Sequence, residues 1–378
     1  MTRQDIDLTA FDISPERGFA PKEDPPDRLP AAYKQWDDTI AELPALIMNF
    51  GIRQRISEIP ELGTDGLNTD GEHGRALVIL SSLAMSHVWA GKDPNFALPR
   101  NIAVPLVAVA TRLGRPPIVH HASLVLDNWR RIDKAKPLSL DNLDTQATFT
   151  GSFDEKWFYL ATLGVELAGA PAMAALAYAT DRSRDASDDD LAQRLAPVEA
   201  GIRAMTVALM RIRERCDPYI FYNRIRPYLA GWPAPGLVYC GASDKPQVWS
   251  GGSAAQSALL QSIDAALGIE HEKPVTREYL SAMLQYMPPK HRAFVAELRQ
   301  RSTIRDRAQS GSASLRDIYN ACIAATDDIR KKHIGITSDY ILKQASVVVG
   351  PGTTGTGGTD FVEFLRESRI ETARSELK

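Results

Sequence analysis

Residues 314–341 read SLRDIYNACIAATDDIRKKHIGITSDYI. Leu315, Ile318, Cys322, Ala325, Ile329, His333, Ile336 and Tyr340 recur at three- and four-residue spacing, so a single face of a long helix carries them. Ser314 can cap its start, with Asp317 three residues on in a capping-box-like arrangement. Asp327, Asp328, Arg330, Lys331 and Lys332 lie mostly on the other side and mark a solvated surface. The inward face is apolar except at His333. A one-sided stripe of this length predicts a helix buried against other helices.

The same periodicity recurs on both sides of this stretch. Residues 1–30 are rich in Pro, Asp and Arg and read as an extended arm. Helical spacing begins near Tyr33 and runs through Trp36, Ile40, Leu43 and Ile47. After a polar loop (61–74) come three further apolar segments. They are 73–90, the LPRNIAVPL segment from Leu98, and Ile118 to Trp129. Residues 134–151 are polar and proline-marked, which suggests a domain boundary. Ser152 and Glu155 form a second capping-box pattern ahead of a long apolar helix to about Thr180. Glu166, Gly164, Gly169 and Pro171 interrupt that run, so it reads as a buried helix rather than a membrane span.

Beyond the charged loop 181–190, Leu191, Leu195, Val198, Ile202, Met205, Leu209 and Ile212 form another stripe. It has acids at its start and arginines at its end, as the helix dipole favours. Pro197 marks a bend or the true start. FYNRIRPYLAGW (221–232) predicts a short helix stopped by Pro227 and Gly231, and 250–269 a helix entered through small residues. Two shorter helices split at Pro288-Pro289 follow, and a last helix runs from Asp360 to about Ser375. Strand-like alternation is scarce and no internal repeat is found. The fold class expected is all-α.

The 378 residues carry a net charge of −3, with 44% hydrophobic and 24% charged residues, an ordinary soluble mix. Neither nucleic acid nor an anionic membrane is an expected partner. Cys216, Cys240 and Cys322 form no C-x-x-C pair, which fits a reducing cytoplasm and not a structural zinc site. The acidic, polar N-terminus carries no signal-peptide pattern. The zincin, serine-hydrolase elbow and Walker motifs are absent.

Four features invite chemistry. An imidazole at position 333 aimed into an apolar interior needs a partner for its ring nitrogens. Two readings stay open: a core histidine bonded to a backbone carbonyl, or a lone axial ligand to haem iron. Gly350-Pro351-Gly352-Thr353-Thr354-Gly355 satisfies G-x-G-x-x-G after Val347–Val349, but a dinucleotide fold needs a further helix and strand, and only one helix fits before Lys378. A loop able to close over a small ligand is the better reading. Gly251-Gly252-Ser253-Ala254-Ala255 either lets helices pack tightly or lets a flat ring lie against backbone. Arg226, among Phe221, Tyr222 and Tyr228, either snorkels to the surface or clamps a carboxylate.

The ordered run FYNRIRPYLAGW…GLVY…SGGSAAQSALLQSIDAALGI…YMPPKHRAF…IRKKHIGITSDYI…GTGGTDFVEFL resembles the indoleamine 2,3-dioxygenase family, with LPRNIAVPL and PPI…VLDNW resembling its N-terminal half. The similarity extends from about His73 to the C-terminus. It implies a small N-terminal helical domain (1–150) and a larger C-terminal haem-binding domain (151–378). It further implies haem b as cofactor, O2 and L-tryptophan or a related indoleamine as substrates, and a monomeric, cytoplasmic enzyme. Cleavage of the indole C2–C3 bond would give N-formylkynurenine. The alternatives are another indole on the same scaffold, or a haem-binding sensor.

By the same resemblance His333 is the iron ligand, and Arg330 with Asp264 is the propionate-facing arginine and its acid. Arg226 clamps the substrate carboxylate, and Phe221 packs on the indole. Gly252, Ser253 and Ala254 line the distal pocket with Phe158 and Thr162, and no histidine or carboxylate is expected at the iron. Thr356, flanked by Gly355 and Gly357, meets the amino-acid end of the substrate. Two departures stand out. Thr162 replaces a serine of the animal enzymes, and His121 replaces a tyrosine at the floor of the indole pocket, where an imidazole suits a hydroxylated indole or simply fills space.

Overall fold

The computed structural model describes residues 5–345 and 361–378. In chain order the helices of the first half are α1 (Lys34–Met48), α2 (Ile52–Glu58), α3 (Asp70–Trp89) and α4 (Arg100–Leu113). Then come α5 (Phe153–Arg182), α6 (Asp188–Met210), α7 (Pro218–Ile220), α8 (Ala258–Leu267) and α9 (Pro274–Leu284). The chain ends with α10 (Pro289–Arg301), α11 (Ile304–Ser310), α12 (Ala313–Thr337), α13 (Lys343–Ala345) and α14 (Phe361–Ala373). The fold is all-α. Its strands are short: β1 (Ala97–Leu98), β2 (Trp129–Arg131), β3 (Leu143–Thr145), β4 (Trp232–Tyr239) and β5 (Gln247–Trp249). β4 lies between a parallel β1 and an antiparallel β5, and β2 pairs antiparallel with β3.

The long helix read from residues 314–341 exists and is tied down along its length. Its cap is Ser312, not Ser314: the Ser312 hydroxyl accepts from Leu315 N at 3.3 Å. The start therefore lies two residues earlier than the sequence pattern suggests. Leu315, Cys322, Ala325, Ile329 and Ile336 are buried as the stripe predicts. Tyr319 donates to Leu267 O at 2.8 Å, and Tyr340, on a π-helical turn (Ser338–Leu342), donates to Cys216 O at 2.6 Å.

α5 is long and apolar enough to cross a membrane, but it packs against α6 and α8 as the central core helix. Gly201 makes the α5–α6 approach possible, since a Cβ there would sit 2.7 Å from the Ala172 methyl. Ser152 caps α5 by accepting from Glu155 N at 3.2 Å, but the reciprocal half of the box is missing. The Glu155 carboxylate instead accepts from Phe149 N at 2.7 Å and Thr150 N at 2.6 Å, organising the incoming loop. On α6, Leu191, Leu195, Val198, Ile202 and Met205 are all at most 1% exposed, and each contributes roughly 1.5–3 kcal/mol on burial. The helix continues through Pro197, which is not its start.

Other expectations need correction. Residues 5–30 are no extended arm: Ile13, Phe19, Ala20 and Leu29 are buried, and Phe19 packs on His291 and Phe294. Ile118 to Trp129 is not a regular helix. It holds a π-helical turn (Ala122–Leu126) and then enters β2, with the Trp129 indole donating to Leu126 O at 2.8 Å. The predicted 250–269 helix is split, a 3-10 turn (Ala254–Gln256) preceding α8. Strand-like alternation is scarce in the sequence, yet residues 232–239 and 247–249 form β4 and β5.

Candidate functional site

A cavity of about 310 Å³ lies between α5, α8, α12 and α14, closed at one side by the segment from His121 to Val125. That is the scale of a small-molecule or cofactor site. Its lining is mostly apolar, with a few polar side chains converging on it.

His333 projects from α12 into this cavity. Neither ring nitrogen has a hydrogen-bond partner among the described residues, so no described carbonyl ties the ring down. The ring is half-buried because it faces a hollow inside the protein, not bulk water. Burial, helped by the Arg330 charge one turn earlier, pushes its pKa down to about 4. A neutral imidazole with a free lone pair in an apolar chamber is the donor that haem iron requires.

Arg330, also lining the cavity, donates to Asp264 Oδ2 at 2.7 Å and to Thr372 Oγ1 at 2.5 Å. Asp264 Oδ2 also meets His271 Nε2 at 3.1 Å, and His271 Nδ1 meets Glu371 Oε2 at 2.8 Å. This buried chain links α8, α12 and α14. Burial opposes the Asp264 carboxylate charge, but the Arg330 charge and the His271 bond outweigh it and lower its pKa. Burial likewise opposes charge on His271, and its two carboxylate partners outweigh that and raise its pKa. The network brings the Arg330 guanidinium, paired with Asp264, to the cavity edge, a group suited to an anionic cofactor substituent.

The opposite wall is built by α5 and the segment after α7. Phe158, Thr162 and Glu166 follow one another at four-residue spacing and all face the cavity. Phe158 and Phe221 pack with ring centroids 4.7 Å apart. The Thr162 hydroxyl donates to Phe158 O at 2.7 Å, so only its lone pairs are open to the cavity. Phe221 lies on a π-helical turn (Phe221–Ile225), and the next residue is Arg226. Arg226 is half-buried, lines the cavity, and its guanidinium lies 5.2 Å from the Tyr222 ring centre. Burial lowers its pKa, with Tyr222 opposing, and a cation so placed favours an anionic ligand.

The glycine stretch divides in two. A Cβ on Gly251 would overlap the Leu229 carbonyl oxygen and sit 2.6 Å from Ala230 C, so this glycine allows two chain segments to cross. That is the structural reading, though the crossing is between loops rather than helices. Gly252, Ser253 and Ala254 line the cavity as expected. The Ser253 hydroxyl accepts from Ala255 N at 3.3 Å and shares a hydrogen bond with Tyr279 OH at 3.1 Å. It caps the 3-10 turn and holds the wall in place.

His121 lines the cavity beside Leu124 and Val125. It does more than fill space: its Nε2 lies 2.7 Å from Glu166 Oε1. The wall therefore does contain a histidine and a carboxylate, and Glu166, Tyr279, His271 and Glu371 are polar residues that sequence reasoning missed. The signal for Glu166 was present, an acid inside an otherwise apolar helix. Thr356, Gly355 and Gly357, with the rest of 346–360, lie outside the described residues.

An all-α chain whose apolar chamber presents a histidine with no ring partner among the described residues, an edge arginine, and an arginine beside paired aromatic rings has the features of a haem-type site for a flat, acid-ended ligand. Residues 7–375 match the sequence model of the family described as indoleamine 2,3-dioxygenase. Indoleamine 2,3-dioxygenase 2 of Mus musculus is 36% identical over 390 residues, covering 98% of this chain and 96% of that protein. Indoleamine 2,3-dioxygenase of Saccharomyces cerevisiae is 32% identical over 426 residues (98% and 94%). A 6-hydroxytryptophan 2,3-dioxygenase of Fusarium equiseti is 31% identical over 393 residues (97% and 96%). The chain belongs to the indoleamine 2,3-dioxygenase family. It is a haem-dependent dioxygenase, an oxidoreductase whose cofactor is haem b.

Proposed function

We propose that this enzyme cleaves the indole C2–C3 bond of L-tryptophan with O2 to give N-formylkynurenine. The observation that carries the reading is the His333 ring, without a hydrogen-bond partner among the described residues, in a cavity whose other walls hold Arg226 and the Phe158–Phe221 pair. Both oxygen atoms end in the product, so no external reductant is consumed per turnover. His333 would hold the haem iron, and Arg330, braced by Asp264, would meet a propionate. Bound haem supplies the iron at which O2 is activated, and the remaining work is positioning.

Arg226 would take the substrate carboxylate as a charge-assisted pair. Phe158 and Phe221 would hold the indole plane, with Thr162, Gly252, Ser253 and Ala254 bounding it. Thr356, between Gly355 and Gly357, would cover the amino-acid end. No side-chain base is needed at the reacting carbons, because the indole double bond is itself electron-rich. The reading carries with it a monomeric, cytoplasmic enzyme of the kynurenine pathway, with neither membrane nor nucleic acid as partner, and a domain division near residue 150. The net charge of −3 and the three unpaired cysteines support that setting.

The test is turnover of L-tryptophan by haem-loaded protein under 18O2. Two labelled oxygens in a formylkynurenine product are expected, and one or none would overturn the reading. A second reading, a ring-substituted tryptophan as the preferred substrate, is favoured by the His121–Glu166 pair, and the name of the Fusarium equiseti relative is consistent with it.

A further inference from the structure

We infer that His271, clamped as a cation between two carboxylates, is a positioning residue for the cofactor: it fixes the Arg330–Asp264 pair that faces the haem and balances the charge around it. The inference rests on the reading above in which Arg330 meets a haem propionate. His271 stands in the loop between α8 and α9, and its side chain is 9% exposed. Its Nε2 lies 3.1 Å from Asp264 Oδ2, and its Nδ1 lies 2.8 Å from Glu371 Oε2. Asp264 Oδ2 also accepts from Arg330 Nη2 at 2.7 Å, while Oδ1 has no partner among the described residues. One oxygen therefore carries both links. The carboxylate that aims Arg330 is itself aimed by His271.

The partners decide the protonation of the ring. A carboxylate only accepts, and a neutral imidazole has a single N–H, so it would turn a lone pair toward one of the two acids. An imidazolium donates to both. Burial opposes the charge on all three groups, yet their mutual bonds outweigh it: the His271 pKa is raised, and those of Asp264 and Glu371 are lowered. Glu371 is held from its other side by the Lys273 N–H, which donates to Oε1 at 2.8 Å, and by the Thr276 hydroxyl of α9. The charged groups facing the ring are Asp264 from α8, Arg330 from α12 and Glu371 from α14. Glu270, Glu272 and Lys273, on its own loop, are exposed.

Two cations and two anions make this buried group neutral as a whole. When the ring loses its proton, the group carries one net negative charge at the wall that would receive an anionic propionate. Asp264 then keeps Arg330 as its sole charged partner, and a guanidinium drawn to an uncompensated carboxylate attracts a second anion less. Arg330 Nη1 is also bonded to Thr372, so Glu371 and Thr372, adjacent on α14, hold the two cations of the group. The sign is fixed by the direction of the His271 shift. The ring cation is fully present below pH 6.5 and is lost as pH rises through the raised folded value, so haem is held more tightly on the acid side of that titration.

The experiment follows haem transfer from the holoenzyme to an acceptor globin between about pH 6 and pH 9, above the range in which His333 titrates. The rate should rise about tenfold across that window, the equivalent of a one-unit coupling between the ring proton and the propionate. His271→Gln should lose haem at the fast rate at every pH, and His271→Lys, which keeps a cation, should stay slow to higher pH. Glu371→Gln, which removes one of the two acids, should move the midpoint down by about one pH unit. Nitrogen NMR of the His271 ring should show both nitrogens protonated at the acid end and give the same midpoint. A rate independent of pH in the unaltered protein would overturn the proposal, as would an unaltered slope with pH in His271→Gln, which would leave His271 a packing role only. If His271→Gln does not fold, Glu371→Gln and the NMR midpoint decide. Arg330→Gln separates this inference from the reading beneath it. Unchanged haem loss there would remove Arg330 from the cofactor, whereas faster loss there beside an unaltered profile in His271→Gln would sink the role of His271 alone.

Discussion

On the proposed reading His333 and Arg226 divide the labour of the site, and each makes a separate prediction. The His333 ring is enclosed and has no hydrogen-bond partner among the described residues, an arrangement that costs free energy unless a ligand uses its lone pair. His333→Ala should abolish the Soret band of the purified protein while leaving its helical circular dichroism intact. Normal haem content in that variant would refute the ligand assignment. Arg226 presents a partly desolvated cation to the same chamber. Arg226→Ala should raise the Michaelis constant for L-tryptophan by an amount equivalent to about 2–4 kcal/mol, the typical loss when one side of a buried charge pair is truncated. A steady-state titration checks this, and an unchanged Michaelis constant would remove Arg226 from the substrate site.

At the scale of elements, the cavity exists because a few close crossings hold its walls apart from the core. Gly231 and Gly251 let the segment after Leu229 cross the segment that carries Gly252 to Ala254. The obstacle to any side chain at Gly251 is backbone, which cannot swing aside. Gly251→Ala should therefore destabilise the protein by about 1–3 kcal/mol or more and weaken haem retention with it. Denaturant melts and haem transfer to an acceptor globin measure the two effects, and a fully stable, haem-replete variant would contradict this account of the crossing. α14 has a comparable role on the other side. Thr372 and Glu371 complete the Arg330–Asp264–His271 chain, so the last helix is joined to the cofactor side of the chamber by hydrogen bonds as well as packing.

For the whole molecule, the buried histidines set a pH window. Burial, with the Arg115 charge nearby, holds the His120 pKa well below its usual value and that of His291 at about 3. Both are neutral in the fold and titrate near 6.5 in the unfolded chain, so below pH 6.5 the unfolded state binds more protons. Stability from these two groups falls as pH drops from about 6.5 toward 3. His271 acts in the opposite sense: its raised pKa contributes stability that is fully present below 6.5 and is lost as pH rises through the folded value. The haem-free protein should show a stability maximum near neutral pH, measured by denaturant midpoints across a pH series. Replacing His291 with a neutral side chain of similar size should flatten the acid limb, and an acid limb unchanged by that replacement would exclude His291 as its source.

The long stripes on α6 and α12, the buried character of α5, and the single histidine on an apolar face were all legible in the residues alone, because helical periodicity is a local property. So was the family, through the order and spacing of its motifs. Chain packing decided the rest. Whether His333 was tied to a carbonyl depended on neighbours from other elements, and the described residues supply none. Residues 5–30 turned out to be core because Phe19 finds His291 and Phe294, a contact no local pattern can announce. The strands 232–239 and 247–249 exist through pairing with each other, and the first also pairs with 97–98, a segment far away in the sequence. The meeting of His121 with Glu166, 45 residues apart, and of Arg330 with Asp264, 66 apart, comes from tertiary packing. Polar side chains are matched across space rather than along the chain, which is why the family could be read early and the cavity's hydrogen-bonding demands only once the helices were assembled.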